Sequence, residues 1–187
     1  MRRLALANYL FLLLALAVIA AIISAAMAMQ YGRGELPCPL CLLQRAAMFG
    51  VCFGIMQNLE RPWSTRSTGL SLLFAVFLLA VASRQTLLDI YPRPGHAYVG
   101  SAVLGLHMPV WSVLIALALL LAYALKLAVL GGDAHMQGAN LDRFPPLRTI
   151  ARVLGAYVIL LCAVNLVSAF VQCGLGECHT TGYRLLR

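Results

Sequence analysis

Residues 4–29 of the chain read LALANYLFLLLALAVIAAIISAAMAM, a run without a single charged side chain. A helix of about 20 apolar residues is long enough to cross the hydrocarbon core of a bilayer. Because lipid offers the backbone no hydrogen-bonding partner, a segment that crosses it must satisfy its peptide groups internally, as an α-helix does. This stretch therefore predicts a membrane-spanning helix.

The pattern recurs four times, at residues 41–59, 68–88, 108–130 and 150–172. The 187-residue chain is 62% hydrophobic and 11% charged, whereas about a quarter of the residues in a soluble domain are charged. The five runs occupy most of the chain, so we expect no separate soluble domain. The sequence predicts an all-α fold, a polytopic bundle of membrane helices.

The first run also resembles a signal peptide, because Arg2 and Arg3 precede it and a small-residue Ala-Met-Ala sequence closes it at residues 26–28. The apolar core of a signal peptide is usually about 7–15 residues long, shorter than this run. We therefore favour a first helix that is retained in the bundle over one that is removed by cleavage.

Most of the basic residues behind the formal net charge of +8 flank the spans. Anionic lipid headgroups attract Lys and Arg at such positions, so the charge indicates contact with membrane lipid and argues against nucleic acid as a partner. The positive-inside rule places the N-terminus in the cytoplasm by a small margin. The basic residues then on the cytoplasmic side are Arg2, Arg3, Arg61, Arg66, Lys126, Arg143, Arg148 and Arg152. With five spans, the C-terminal tail emerges on the opposite side, together with the loop between the first two helices.

Cys38 and Cys41 form a Cys-x-x-Cys pair where the second helix begins, and Arg45 follows one turn later. The unpaired N–H groups of a helix N-terminus favour an anion, and a guanidinium one turn on adds to this effect. A thiolate is the reactive species in thiol–disulfide exchange. We therefore favour a redox-active pair over a static disulfide, which would close too small a ring to add much stability.

Cys173 and Cys178 lie at the end of the fifth span, in the sequence CGLGEC. The two glycines let the backbone bend enough for a disulfide between them, which serves equally well as a redox pair or as a structural cap. Four thiols, with His179 nearby, could instead bind zinc or an iron–sulfur cluster, but exported thiols usually oxidise, so we predict no metal. The remaining cysteines, Cys52 and Cys162, lie in mid-helix and are expected to behave as small hydrophobic residues.

Three sequence motifs resemble the disulfide bond formation protein B (DsbB) family. Residues 37–46 read PCPLCLLQRA, like the first redox motif of that family, with an arginine four residues after its second cysteine. Residues 86–94, TLLDIYPRP, resemble the exit from the family's third helix, and residues 104–111, LGLHMPVW, the entry into its fourth. The likeness extends over residues 5–130 or so, and three motifs in order are far more specific than a Cys-x-x-Cys alone.

The resemblance implies a bacterial inner-membrane thiol oxidase that reoxidises a periplasmic thioredoxin-fold (DsbA-like) dithiol partner and passes the electrons to a membrane quinone. It implies that Cys41 faces the quinone with Cys38 as its partner, and that Arg45 stabilises the thiolate and a reduced quinone oxygen. Gln85 and Met108 match positions that line the family's quinone pocket. The family often has histidine at the position of Gln85. Neither the type of quinone, ubiquinone or menaquinone, nor the partner is evident from the sequence.

The chain departs from the family in two connected ways. The family usually carries a second cysteine pair between its third and fourth helices, but residues 89–107 contain no cysteine, and a fifth span follows the four-helix core. We predict a four-helix core at 1–130, a cytoplasmic linker at 131–149, the fifth helix at 150–172 and a periplasmic tail at 173–187. Our hypothesis is that Cys173 and Cys178 replace the missing pair.

Two other interpretations remain open at this point. An oxidase could use Cys38 and Cys41 alone, with the C-terminal pair as a passive staple. A non-catalytic subunit of a membrane complex could use both pairs as structural disulfides.

Overall fold

The computed structural model describes residues 2–91, 102, 104–130, 141, 144–174, 176, 178, 183 and 185. Its described part contains five α-helices, each long and apolar enough to cross a membrane. They are α1 Arg2–Arg33, α2 Pro39–Glu60, α3 Thr65–Ile90, α4 Met108–Leu130 and α5 Pro145–Cys173. The predicted all-α polytopic bundle is confirmed.

Every predicted span lies in one of these helices, although several helices are longer than the apolar runs. The largest difference is in α5, which begins at Pro145 rather than residue 150. Proline suits the first turn of a helix, where its missing N–H would have had no partner. Apolar runs mark the part of a helix that lies in lipid, so they do not predict the polar turns at its ends.

The core of the bundle is built around α2, which packs against α1 and α3, while α4 packs against α3 and α1. The first helix belongs fully to this core, because Leu12, Leu16 and Ile19 are completely buried. The fifth helix packs on the outside of this four-helix group, against α1 and α2. Its opposite side is exposed and apolar, as expected for a surface that faces lipid.

Side-chain contacts show which helix ends lie together. At one end, the Gln172 side chain near the end of α5 donates to the Pro37 carbonyl, 2.8 Å away, just before α2. At the other end, Asn58 of α2 donates to Thr68 of α3 at 3.0 Å, and Lys126 lies over the Trp63 ring. The C-terminal pair and the loop between α1 and α2 therefore share one end of the bundle, as five spans require.

Several predicted segments fall partly outside the described residues. These are the linker at 131–149, the connection before α4 and most of the tail at 173–187. Their predicted domain limits stay predictions, except that helical structure already begins at Pro145.

Glycine allows α2 and α3 to approach closely. A Cβ atom added at Gly54 would meet the Ser71 hydroxyl and would lie 2.7 Å from the Ser67 carbonyl oxygen. The Ser71 hydroxyl itself donates to the Val51 carbonyl across the interface, at 3.1 Å. Close backbone approach through small residues is a common basis of helix association in membranes.

Gly54→Ala should destabilise the protein by about 1–3 kcal/mol, because the added methyl group overpacks a backbone contact that has no room to adjust. Thermal unfolding in detergent would measure the loss. Gly69→Ala is the matched control on α3, since a Cβ there has no neighbour within 4 Å. Equal stability of the two variants would contradict the close contact.

Candidate redox site

Cys38 and Cys41 are joined by a disulfide at the start of α2. Cys38 is the N-cap residue of the helix, and its sulfur accepts the backbone N–H of Cys41 at 3.1 Å. Pro39 supplies the first helical residue, which needs no partner for an N–H. The N-terminus of α2 therefore donates a hydrogen bond directly to one sulfur of the pair, that of Cys38.

Gln85 of α3 lies against both sulfur atoms of this pair. Its side-chain nitrogen is 3.3 Å from the Cys38 sulfur and 3.4 Å from the Cys41 sulfur. Its oxygen accepts a 2.8 Å hydrogen bond from the Gln44 amide, which fixes the orientation of the Gln85 amide. Both glutamines are buried. Hydrogen bonds to sulfur favour the negatively charged form of a thiol, so Gln85 is placed to stabilise the reduced pair.

Arg45 is buried one turn further along α2, and oxygen atoms of two other helices surround its guanidinium. Nη1 donates to Gln30 Oε1 at 2.6 Å and to Asn165 Oδ1 at 3.3 Å, and Nη2 donates to the Ala26 carbonyl at 3.2 Å. Buried charges inside a membrane bundle need such partners, because lipid cannot replace the lost water. The described hydrogen bonds of Arg45 thus go to α1 and α5 rather than to the Cys41 sulfur.

A cavity of about 360 Å³ adjoins the disulfide. Cys41, Arg45, Gln85 and Met108 all line it. The other walls are mostly apolar and come mainly from α1, α4 and residues 35–37, with Glu35, Gln44 and Ser112 as further polar groups. Its size falls in the range of about 300–1,000 Å³ usual for small-molecule sites, and an apolar wall with a few convergent polar groups is typical of them.

Cys173 and Cys178 form the second disulfide, at the end of α5. Gly174 ends the helix with a φ of 62°, a conformation that favours glycine, and its N–H reaches the Phe170 carbonyl. Cys173 is 7% exposed and therefore buried, whereas Cys178 is partly exposed. Cys178 is thus the more exposed residue of this pair.

The hydrogen bond from Gln172 to the Pro37 carbonyl connects the two disulfides, because each of these residues is adjacent to a cysteine. Gln172 is fully buried, so the contact is part of the packed interior. The structure thus brings all seven sequence-predicted site residues to one end of the bundle. Four of these residues line the cavity, and the C-terminal pair follows Gln172, whose side chain bonds to the residue before Cys38.

The two remaining cysteines do not line the cavity. Cys52 is buried in the core and Cys162 is exposed on the outer side of α5. Among the described residues, no three His, Cys, Asp or Glu side chains are grouped as metal ligands, and His179 lies outside them.

Sequence reasoning missed the residues that support the site. They are buried polar residues within apolar helices, namely Gln30, Gln44, Asn165, Ser168 and Gln172. A usable signal existed, since polar side chains inside a membrane span usually face the interior of the bundle. On α5 the last three follow one another at intervals of three and four residues, the spacing of a single helix face.

Comparison with known proteins gives similarities to a single family. The family model described as "Disulfide bond formation protein DsbB" matches residues 7–98. Disulfide bond formation protein B of Cupriavidus metallidurans is 32% identical over 146 residues, covering 63% of this chain and 90% of that protein. The protein of the same name from Nitrosomonas europaea is 37% identical over 87 residues, covering 44% of this chain and 52% of that protein. No solved structure matches the chain.

Gln85→Leu should make the reduction potential of the Cys38–Cys41 pair about 30 mV more negative. The substitution removes a donor that stabilises the reduced sulfurs, and 30 mV corresponds to the ~1.4 kcal/mol typical of such a hydrogen bond. Equilibration in thiol redox buffers, followed by alkylation, would measure the potential in a variant with Cys173 and Cys178 replaced by serine. Thr86→Val is the control, because the hydrogen bond of that hydroxyl among the described residues stays within α3, to the Ala82 carbonyl. An unchanged potential in Gln85→Leu would show that the amide does not act on the sulfurs.

Proposed function

The chain belongs to the disulfide bond formation protein B family and is a multi-pass membrane protein of disulfide-bond formation, and from that premise we propose that it is a quinone-linked thiol oxidase. It reoxidises the dithiol of a periplasmic thioredoxin-fold partner. The observation that carries the proposal is the apolar cavity that has Cys41 in its wall beside Arg45, Gln85 and Met108. The bacterial inner membrane supplies both the quinone and the access to the periplasm.

The cavity suits a quinone headgroup, which is a flat apolar ring with two carbonyl oxygens. Arg45 and Gln44 offer hydrogen-bond donors for those oxygens, while Met108 and the apolar wall would hold the ring. A quinone bound there would accept the two electrons and two protons of the reduced Cys38–Cys41 pair. The protein supplies position and electrostatics, as is general for cofactor chemistry.

The partner enters through the C-terminal pair. A thiolate of the reduced partner attacks Cys178, the more exposed residue of the pair, which forms a mixed disulfide and releases Cys173 as a thiolate. The second thiol of the partner then resolves the mixed disulfide. The partner leaves oxidised, and two electrons and two protons remain on Cys173 and Cys178.

The next exchange moves the electrons inward. The Cys173 thiolate attacks Cys38 and releases Cys41 as a thiolate, on the side of the pair that lines the cavity. Cys178 then attacks Cys173, which restores the C-terminal disulfide and leaves Cys38 and Cys41 both reduced. The hydrogen bond from Gln172 to the Pro37 carbonyl supports this step, because it holds the residues next to Cys173 and Cys38 together.

The orientation follows from the same scheme. Exchange with a periplasmic partner requires that Cys178 and the loop between α1 and α2 face the periplasm. The N-terminus and the turn between α2 and α3 then face the cytoplasm, where Arg61 and Arg66 fit the positive-inside rule.

Purified protein should reduce a ubiquinone or menaquinone analogue when it is given a reduced thioredoxin-fold donor. The double variant Cys173→Ala, Cys178→Ala should lose at least about 100-fold of this rate, because the donor's point of entry is gone. It should still accept electrons from a small dithiol that reaches Cys38–Cys41 directly. Quinone absorbance would follow both reactions. No reduction with any donor would overturn the function, whereas full donor oxidation by the double variant would favour an oxidase that uses only Cys38 and Cys41.

Trapping should identify the sulfur that is attacked first. A donor whose second cysteine is replaced by serine should accumulate as a mixed disulfide with Cys178, since the donor lacks the thiol that would resolve it and only the reverse attack by Cys173 competes. Non-reducing gels and mass spectrometry of the linked peptides would locate the bond. A donor linked to Cys173 would reverse the order within the pair, and one linked to Cys38 would remove the pair from the pathway.

A further inference from the structure

The fifth helix does more than carry the second cysteine pair, because a polar face on it reaches into the interior of the bundle. Asn165, Ser168 and Gln172 lie on this face, with exposed fractions of 8%, 6% and 0%. Each makes a hydrogen bond outside its own helix: Asn165 to Arg45, Ser168 to Gln30 and Gln172 to the Pro37 carbonyl. We name these three residues the α5 polar face.

The contacts of this face converge on one guanidinium. Gln30 accepts from Arg45 through its oxygen at 2.6 Å, and its nitrogen donates to Ser168 at 2.7 Å and to the Tyr183 hydroxyl at 3.3 Å. Asn165 accepts from the same Arg45 nitrogen. The position of Arg45 is therefore fixed from α5 both directly and through Gln30.

We propose that Asn165 is a positioning residue for the redox site, which holds the Arg45 guanidinium at the cavity wall beside Cys41. The inference rests on the proposed function only for the role of Arg45. Arg45 has a long flexible side chain, and it reaches both the cavity and the oxygens of α1 and α5. Without Asn165 one anchor of Nη1 is lost, and the guanidinium has freedom to turn away from Cys41.

The position of Arg45 matters through the charge on the Cys41 sulfur. Cys41 and Arg45 are one helical turn apart and line the same cavity, so a guanidinium held there favours the thiolate. Misplacement of a charged group by about 1 Å costs up to about a hundredfold in an active site. For the loss of one of several anchors we expect about a tenfold effect on thiolate reactivity.

The test uses the alkylation rate of Cys41, which needs neither quinone nor partner. Cys38, Cys173 and Cys178 are replaced by serine in the full chain, and mass spectrometry follows iodoacetamide modification of Cys41 at neutral pH. Asn165→Leu should slow the modification about tenfold. Val164→Leu is the matched control, because Val164 is the preceding residue on α5 and points outward, 39% exposed.

A second comparison, in protein that carries Arg45→Met, separates a positioning effect from general damage to the structure. If Asn165 acts through Arg45, Asn165→Leu should have no further effect once Arg45→Met is present. Gln30→Leu provides the same test from α1 if Asn165→Leu does not give a monodisperse protein. Equal alkylation rates in Asn165→Leu and Val164→Leu would overturn the proposal. It would also be overturned if Asn165→Leu slowed alkylation equally in protein that keeps Arg45 and in protein that carries Arg45→Met.

These outcomes are independent of the proposed function. If the parent protein fails to reduce quinone with any donor, the oxidase proposal fails, while the alkylation rates still decide whether Asn165 positions Arg45. If quinone reduction is intact and the rates do not change, only the positioning role is lost.

Discussion

The buried guanidinium of Arg45 sets the main constraint on this structure. A positive charge within an apolar bundle is stable only where oxygen atoms take the place of water, and Arg45 finds them on Gln30, Asn165 and the Ala26 carbonyl. Two of these oxygens belong to α1 and one to α5, so both helices have to meet α2 at the level of Arg45. The packing of α5 against the outside of the core is thus coupled to the residue that lines the redox cavity.

Polar and apolar groups both surround the Cys38–Cys41 pair. The amides of Gln85 and Gln44 form a buried hydrogen-bonded pair against the sulfurs. The same two amides stand at the edge of a cavity that Cys41 also lines, and its walls from α1 and α4 are mostly apolar and leave space for a small molecule. The amide of Gln85 contacts the sulfurs, and the apolar walls leave room for a lipid-soluble reactant, as the proposed transfer of electrons out of the reduced cysteine pair requires.

The sequence was sufficient to predict the helices and the cysteines but not the network that connects them. Long apolar runs gave five spans, and their odd number placed Cys173 and Cys38 at the same end, as the structure confirms. The α5 start at Pro145 was missed, because hydropathy does not detect a polar first turn. The partners of Arg45 were also missed. Helical spacing suggested that Arg45 lies beside Cys41, whereas its hydrogen-bond partner Asn165 lies 120 residues away in sequence. Contacts of this kind depend on which faces of two helices meet, and the periodicity of one span does not determine that.

Because Cys38 is the N-cap residue of α2, the oxidation state of its sulfur affects the hydrogen bonding at the start of that helix. The Cys38 sulfur accepts the Cys41 N–H at the first turn of α2. A negatively charged sulfur is a stronger acceptor than a disulfide sulfur, and a negative charge at this terminus interacts favourably with the helix dipole. A thiolate at Cys38 in the proposed cycle would therefore strengthen the cap at the start of α2. In the proposed cycle the capping hydrogen bond would thus be available in both oxidation states, so reduction of the pair would not unwind the first turn of α2.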